Sequence, residues 1–190
     1  MKKNKSICVF CSSSDSIDNI YFQTATDLGH RIGELGLELV YGGTNIGLMG
    51  VVARTTHEKG GRVVGVIPEF FRNKDENIEY VEADELIVAE NMRIRKTIMA
   101  ERADAFLVLP GGIGTLEEAI EVLSMKQLGL TDKPLVFINT NNFYDDLTSI
   151  LQKMIDLRFA KPSTFDLFSV CSDPLSAIKF VLCYQPKNRE

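Results

Sequence analysis

Short runs that are apolar at every position alternate with segments of helical periodicity along this chain. Ala105-Phe106-Leu107-Val108-Leu109 carries no polar residue at all. A strand apolar on both of its faces belongs inside a parallel sheet covered by helices on either side; a sheet with one wet face would show alternation instead. Further strands read at 6–11, 37–41, 62–67, 134–138 and 168–171. Helical spacing covers 21–35, 48–59, 91–102, the stretch after Gly114, 144–157 and 174–182. The expected fold class is therefore α/β, a doubly wound parallel sheet with helices on both faces, in a single domain spanning 1–190. Residues 70–90 are charged and poorly periodic, and read as a long loop with room for one short extended piece.

Charge and composition exclude several classes. The net charge of −5 disfavours a general nucleic-acid or anionic-membrane partner. No apolar run reaches the 18 residues of a membrane span, and the run 7–10 after the basic start is too short for a secretory signal, so a cytoplasmic protein is expected. Cys8-Val9-Phe10-Cys11 has C-x-x-C spacing, but both thiols fall within or at the end of a strand, where a redox motif needs its first cysteine at a helix start. With only His30 and His57 as histidines, no metal site is expected.

The chemistry concentrates where strands end. After residues 105–109 comes Pro110-Gly111-Gly112-Ile113-Gly114-Thr115-Leu116-Glu117-Glu118, leading into a helix. A strand, a glycine-rich turn and a helix start place backbone N–H groups and the positive dipole end around one small volume, which binds phosphate. A second glycine turn, Gly42-Gly43-Thr44-Asn45-Ile46-Gly47, follows the strand at 37–41, and Gly43 is a candidate ligand contact there. Ser12-Ser13-Ser14 after the first strand adds Ser13 as a possible donor, although a plain turn explains these serines as well. Neither G-x-G-x-x-G after the first strand nor a Gly-Lys-Ser/Thr triplet occurs, which disfavours a dinucleotide site and a Walker loop. Glu118 supports two readings. Thr115-x-x-Glu118 fits a capping box, while its place beside the glycine loop fits a catalytic carboxylate. Arg93, Arg95 and Lys96 open another helix, where the dipole disfavours cations and an anionic ligand or a nearby acid would relieve the cost.

Taken together, Tyr41-Gly42-Gly43 with Gly47-Leu48-Met49-Gly50, Met92-x-x-Arg95-Lys96 and Pro110-Gly111-Gly112-x-Gly114-Thr115-x-x-Glu118 resemble the Lonely Guy (LOG) family. The resemblance covers roughly 6–182. It implies a Rossmann-like fold, usually dimeric, that hydrolyses the N-glycosidic bond of adenine-type or cytokinin nucleoside 5′-monophosphates without metal or organic cofactor. It puts the catalytic arginine and glutamate on Arg95 and Glu118. It puts substrate contacts on Lys96, on Gly111, Gly112, Ile113, Gly114, Thr115, Leu116 and Glu117, and on Glu69 and Ser124. Departures are Thr44 where a third glycine is common, Arg93 where many relatives carry histidine, and a longer 70–90 stretch. A nucleotide-binding or carrier module without turnover is the alternative.

Three further expectations follow. If Glu118 is a cap, Glu118→Gln costs the fold only a few tenths of a kcal/mol. Arg95→Ala removes a cation from an unfavourable dipole position, so stability holds or rises. Apolar residues on two faces of the helices from Asn91 and Thr115 (Ile94, Ile98 and Met99; Ile120, Leu123, Met125 and Leu128) exceed what one sheet can cover, which favours a homodimer or higher oligomer.

Overall fold

A computed structural model describes residues 5–72 and 78–186. Residues 1–4, with most of the basic start, and residues 73–77, within the expected long loop, lie outside the described residues. The strands are β1 (Ser6–Phe10), β2 (Glu38–Tyr41), β3 (Arg62–Pro68), β4 (Glu85–Ala89), β5 (Ala105–Val108), β6 (Leu135–Ile138) and β7 (Ser169–Cys171). The helices are α1 (Asn19–Glu34), α2 (Gly47–Glu58), the single turn α3 (Glu69–Arg72), α4 (Met92–Arg102), α5 (Ile113–Gln127), α6 (Asp145–Asp156) and α7 (Pro174–Cys183).

One sheet holds these strands in the order β4-β3-β2-β1-β5-β6-β7, and every pairing is parallel. The apolar runs are explained by what covers them. In β1, Ile7 and Val9 join a core with Leu28 of α1, Val52 of α2 and Ile178 of α7. Cys8 and Phe10 point the other way, into a core with Met99 of α4, Val122 of α5 and Leu151 of α6. Both faces are dry, so strands without alternation are the ones that fit. The same pleat separates the C-x-x-C pair. Cys8 and Cys11 belong to opposite cores, and burial pushes both thiols upward, which leaves two inert thiols rather than a redox couple.

The chain winds outward from β1 to β4, then crosses to β5 on the far side of β1. Strand order reverses there, and the carboxyl ends of β1, β2 and β5 face the crevice where such sheets hold ligands. Local signals set the helix starts: Asn91 Oδ1 accepts from the Ile94 N–H at 3.0 Å, and Asp173 does the same for Ser176 at 2.9 Å.

Outside residues 73–77, the 70–90 stretch holds the short extended piece that the sequence left room for, and a helical turn besides. It contains α3 and then β4, which pairs with β3 from Val64↔Glu85 to Pro68↔Ala89. As an edge strand with one neighbour, β4 is mostly half-buried, and its first residue is a glutamate held bidentately by Arg102 at 2.6 and 2.9 Å. Between α3 and β4, residues 78–80 lie on the first glycine turn. Asn45 N–H donates to the Ile78 carbonyl at 2.7 Å, and Tyr80 N–H to the Gly43 carbonyl at 3.1 Å.

Leu107, at the middle of the sheet, is fully buried. Leu107→Ala is expected to cost about 2–5 kcal/mol, because strands paired on both sides cannot close in to fill the cavity. Urea unfolding measures it; a cost under about 1 kcal/mol would mean the central strand is not packed as described.

Candidate active site

The glycine loop after β5 stands open. The N-cap of α5 is Gly112, with no side-chain cap bond, and Gly112, Ile113 and Gly114 are exposed. The first amides of the helix therefore face the crevice with the dipole behind them, a geometry suited to phosphate. Gly111 serves packing instead: a Cβ there would collide with the hydroxyl of Thr115, which is buried beneath the loop. Thr115 lies inside the first turn of α5, not before it, so it is not the N-cap. The capping-box reading of Thr115 and Glu118 is thereby replaced.

Glu118 turns to α4 instead. Its carboxylate Oε1 accepts from Arg95 Nη1 at 2.6 Å, and the two side chains are only 11% and 7% exposed. Arg95 Nε donates to the Val66 carbonyl near the carboxyl end of β3 at 2.9 Å. Its other guanidinium nitrogen lies against Gly42: a Cβ on that residue would sit 2.5 Å from Arg95 Nη2 and 2.6 Å from Met49 Sδ. The glycine after β2 is what admits the arginine. Burial raises the Glu118 pKa, and the Arg95 charge and hydrogen bond pull against it without cancelling it.

The three cations that open α4 separate. Arg95 is buried and paired, and Arg93 is exposed. Lys96 ion-pairs with Glu117 and, at 2.9 Å, with Glu121, both on α5. Burial opposes the Lys96 charge, but the hydrogen bonds to these two carboxylates prevail and raise its pKa. Glu121 was missed by the sequence reading; its i, i+4 spacing from Glu117 on one helix face is the signal that could have found it. A cavity of about 280 Å3 between α4 and α5 is lined by Lys96, Glu118 and Glu121 over a floor that includes Phe10 and Phe106.

The other sequence candidates lie at varying distance from this pair. Glu69 is exposed at the start of α3, directly after β3, on the same edge of the sheet. Leu116 packs on the core beneath α5. Ser124 is exposed six residues beyond Glu118, about 9 Å farther along the helix axis, so it does not share the loop. At the first glycine turn, Gly43 is buried and its carbonyl is taken by Tyr80, while the exposed Ser13 lays its backbone against Gly47. The start of α2 is closed by the protein itself: Gly47 N–H donates to Asp15 Oδ1 and Leu48 N–H to the Ser12 carbonyl, both at 3.0 Å. Among the described residues, no group of three or more histidine, cysteine or acidic side chains could hold a metal ion.

A doubly wound sheet with an uncapped glycine loop at its strand-order reversal, facing a buried arginine–glutamate pair, defines a class of phosphate-binding α/β proteins equipped with a carboxylate. The family described as "possible lysine decarboxylase" matches residues 49–181. The chain is 40% identical to the cytokinin riboside 5′-monophosphate phosphoribohydrolase LOG5 of Arabidopsis thaliana, over 97% of this chain and 80% of that protein. It is 42% identical to the cytokinin riboside 5′-monophosphate phosphoribohydrolase of Rhodococcoides fascians, over 92% and 87%. The chain belongs to this family, that of the LOG phosphoribohydrolases. Among solved structures, the molybdenum cofactor binding protein of Rippkaea orientalis superposes with a TM-score of 0.71 at 22% identity, over 96% of this chain and 98% of that one. The Chlamydomonas reinhardtii molybdenum cofactor carrier protein gives 0.70 at 23%, over 96% and 100%. These two show the shared fold.

The burial of Arg95 runs against the expectation that its removal leaves stability level or higher. Arg95→Ala leaves a buried carboxylate without its partner, at an expected cost of about 3–5 kcal/mol at neutral pH. Because the Glu118 pKa is raised, the protonated form suits the fold, so this cost shrinks as pH falls through that pKa and returns above it. Denaturant unfolding of wild type and variant at pH 4.5 and 7.5 checks the sign; equal losses at both would show that the charge on Glu118 is not what Arg95 compensates.

Proposed function

We propose that this chain hydrolyses the N-glycosidic bond of purine nucleoside 5′-monophosphates, of adenine or cytokinin type, to free base and ribose 5-phosphate. The carrying observation is the ionisable, buried Glu118 one turn inside a helix whose uncapped start forms the glycine loop. The amides of 111–115 and the dipole of α5 hold the 5′-phosphate. That anchor brings the ribose over Glu118. As the bond from C1′ to the base nitrogen breaks, positive charge develops on the ribose, and the carboxylate stabilises it while water adds to C1′. The base leaves with a proton, and the water supplies the hydroxyl of ribose 5-phosphate. Arg95 keeps Glu118 aimed and favours its ionised form against burial. The names of the relatives support the same reaction and substrate class.

The description "possible lysine decarboxylase" fits the residues less well. A Schiff-base lysine needs a neutral amine, whereas Lys96 is held protonated by two carboxylates.

Exposed apolar side chains on α4, on α5 and at the C-cap of α5 support assembly into a homodimer: Ile94 is 42%, Ile120 39% and Leu128 70% exposed, whereas Met99 and Leu123 are buried in the core. In the proposed dimer the second subunit supports the substrate pocket. No helix among the described residues is long and apolar enough to cross a membrane. The free cysteines suit a cytoplasmic setting.

Incubation with AMP and with its N6-isopentenyl analogue is expected to release ribose 5-phosphate from at least one. Glu118→Gln, which keeps an acceptor for Arg95, is expected to bind nucleotide and to lose about 10²–10³-fold in turnover. Stoichiometric binding without cleavage of any nucleoside monophosphate would instead make the chain a carrier. Light scattering at micromolar concentration is expected to give twice the 21.2 kDa chain mass or more; a fully active monomer would end the dimer proposal.

A further inference from the structure

The two halves of the site ride on different helices, Arg95 on α4 and Glu118 on α5, and the cavity of about 280 Å3 lies between them. Charged contacts bridge that gap. Arg95 reaches Glu118 near the crevice, and next to it Lys96 reaches both Glu117 and Glu121. Glu117 and Glu121 are one turn apart on the face of α5 that looks at α4, so the single ammonium is gripped at two heights. The Lys96 side chain is only 17% exposed, while Glu117 and Glu121 reach it from the solvent side at 52% and 45% exposure.

We propose that Glu121 is a positioning residue: acting through Lys96, it straps α5 to α4 and holds the Lys96 ammonium and the Arg95 guanidinium against Glu118. The inference rests on the reading of Glu118 as the carboxylate of the hydrolase. The charged and titratable groups around Glu118 fit such a role. Arg95 and Lys96 face it from α4, Glu117 and Glu121 flank it on α5, Cys8 of β1 lies in the core beneath α5, and Cys11 follows β1 on the other face of the sheet. Both α4 cations lower the Glu118 pKa, Glu117 raises it, and burial keeps the thiols neutral. The strap therefore has a signature that plain electrostatics does not share. Removing a negative charge near a carboxyl group should lower its pKa. Releasing the cations that face it should raise it.

The experiment is Glu121→Gln, alone and in a Lys96→Gln background. Carbon-detected NMR titration of the Glu118 carboxyl in the nucleotide-free protein is expected to move upward in Glu121→Gln. With substrate, kcat is expected to fall about fivefold while KM stays within about twofold, since alignment rather than affinity is lost. In the Lys96→Gln background, Glu121→Gln should lower kcat no further and should no longer raise the Glu118 titration, leaving only the downward shift that loss of a negative charge causes, because a strap with one end removed cannot be cut again. A downward or absent shift of the Glu118 titration overturns the strap, as does an undiminished effect without Lys96. If the wild-type protein binds nucleotide but never cleaves it, the hydrolase reading fails, and the Glu118 titration still decides the strap.

Discussion

A guanidinium and a carboxylate withdrawn from water together are tolerated only when geometry is good and the leftover donors are satisfied, since each ion alone would cost several kcal/mol. Arg95 and Glu118 meet that condition by drawing on four separate parts of the chain. β3 supplies the Val66 carbonyl for Nε, the turn after β2 supplies the space at Gly42, α4 supplies the arginine and α5 the carboxylate. None of these lies within 20 residues of all the others in sequence, so the pair exists only when the sheet has its full order. Burial still outweighs the arginine in setting the Glu118 pKa, which leaves a poorly solvated carboxylate whose charge is supported by its partner.

Much of the fold was legible because its strands are buried on both faces. Ala105–Val108 and the strands around it need no alternation to be recognised, and the glycines and helix caps punctuate them. β4 was legible only as room for one short extended piece, without bounds. Four of its five residues are apolar, but it pairs on one side only, it follows a charged stretch, and Glu85 belongs to an ion-pair network with Arg62 and Arg102, so neither its length nor its partner could be read locally. Its identity is settled by the vacant edge of β3, a tertiary fact that no short window of sequence contains.

At the site, sequence found the residues more readily than their relationships. Cations at the start of α4 pose an electrostatic problem that a nearby acid solves, but which acid and which cation is a matter of three dimensions. Arg95 points into the sheet and Lys96 along α5, while Arg93 meets solvent. The capping box was a fair reading of Thr115-x-x-Glu118, and it fails because the helix begins at Ile113 with Gly112 as its N-cap, three residues too early for Thr115 to cap it. Helix starts are decided by backbone geometry as well as by side-chain preference.

The two glycine turns show how similar sequences reach different ends. Both follow a strand of the same sheet, both precede a helix, and both open toward the same crevice. At α2 the loop after β1 folds over the helix start and places Asp15 and the Ser12 carbonyl on its first amides, so the protein supplies its own anion. The turn then becomes a fitting, whose Gly42 seats Arg95 and whose Gly43 carbonyl anchors Tyr80. At α5 no side chain caps the start, and the residues that could crowd the loop are glycines whose Cβ positions meet nothing, at Gly112 and Gly114. A helix start that the protein closes gives a rigid wall, and one that it leaves open keeps its first amides without a side-chain cap. The buried ion pair lies between them, with the arginine seated by the closed turn and the carboxylate presented one turn inside the open one.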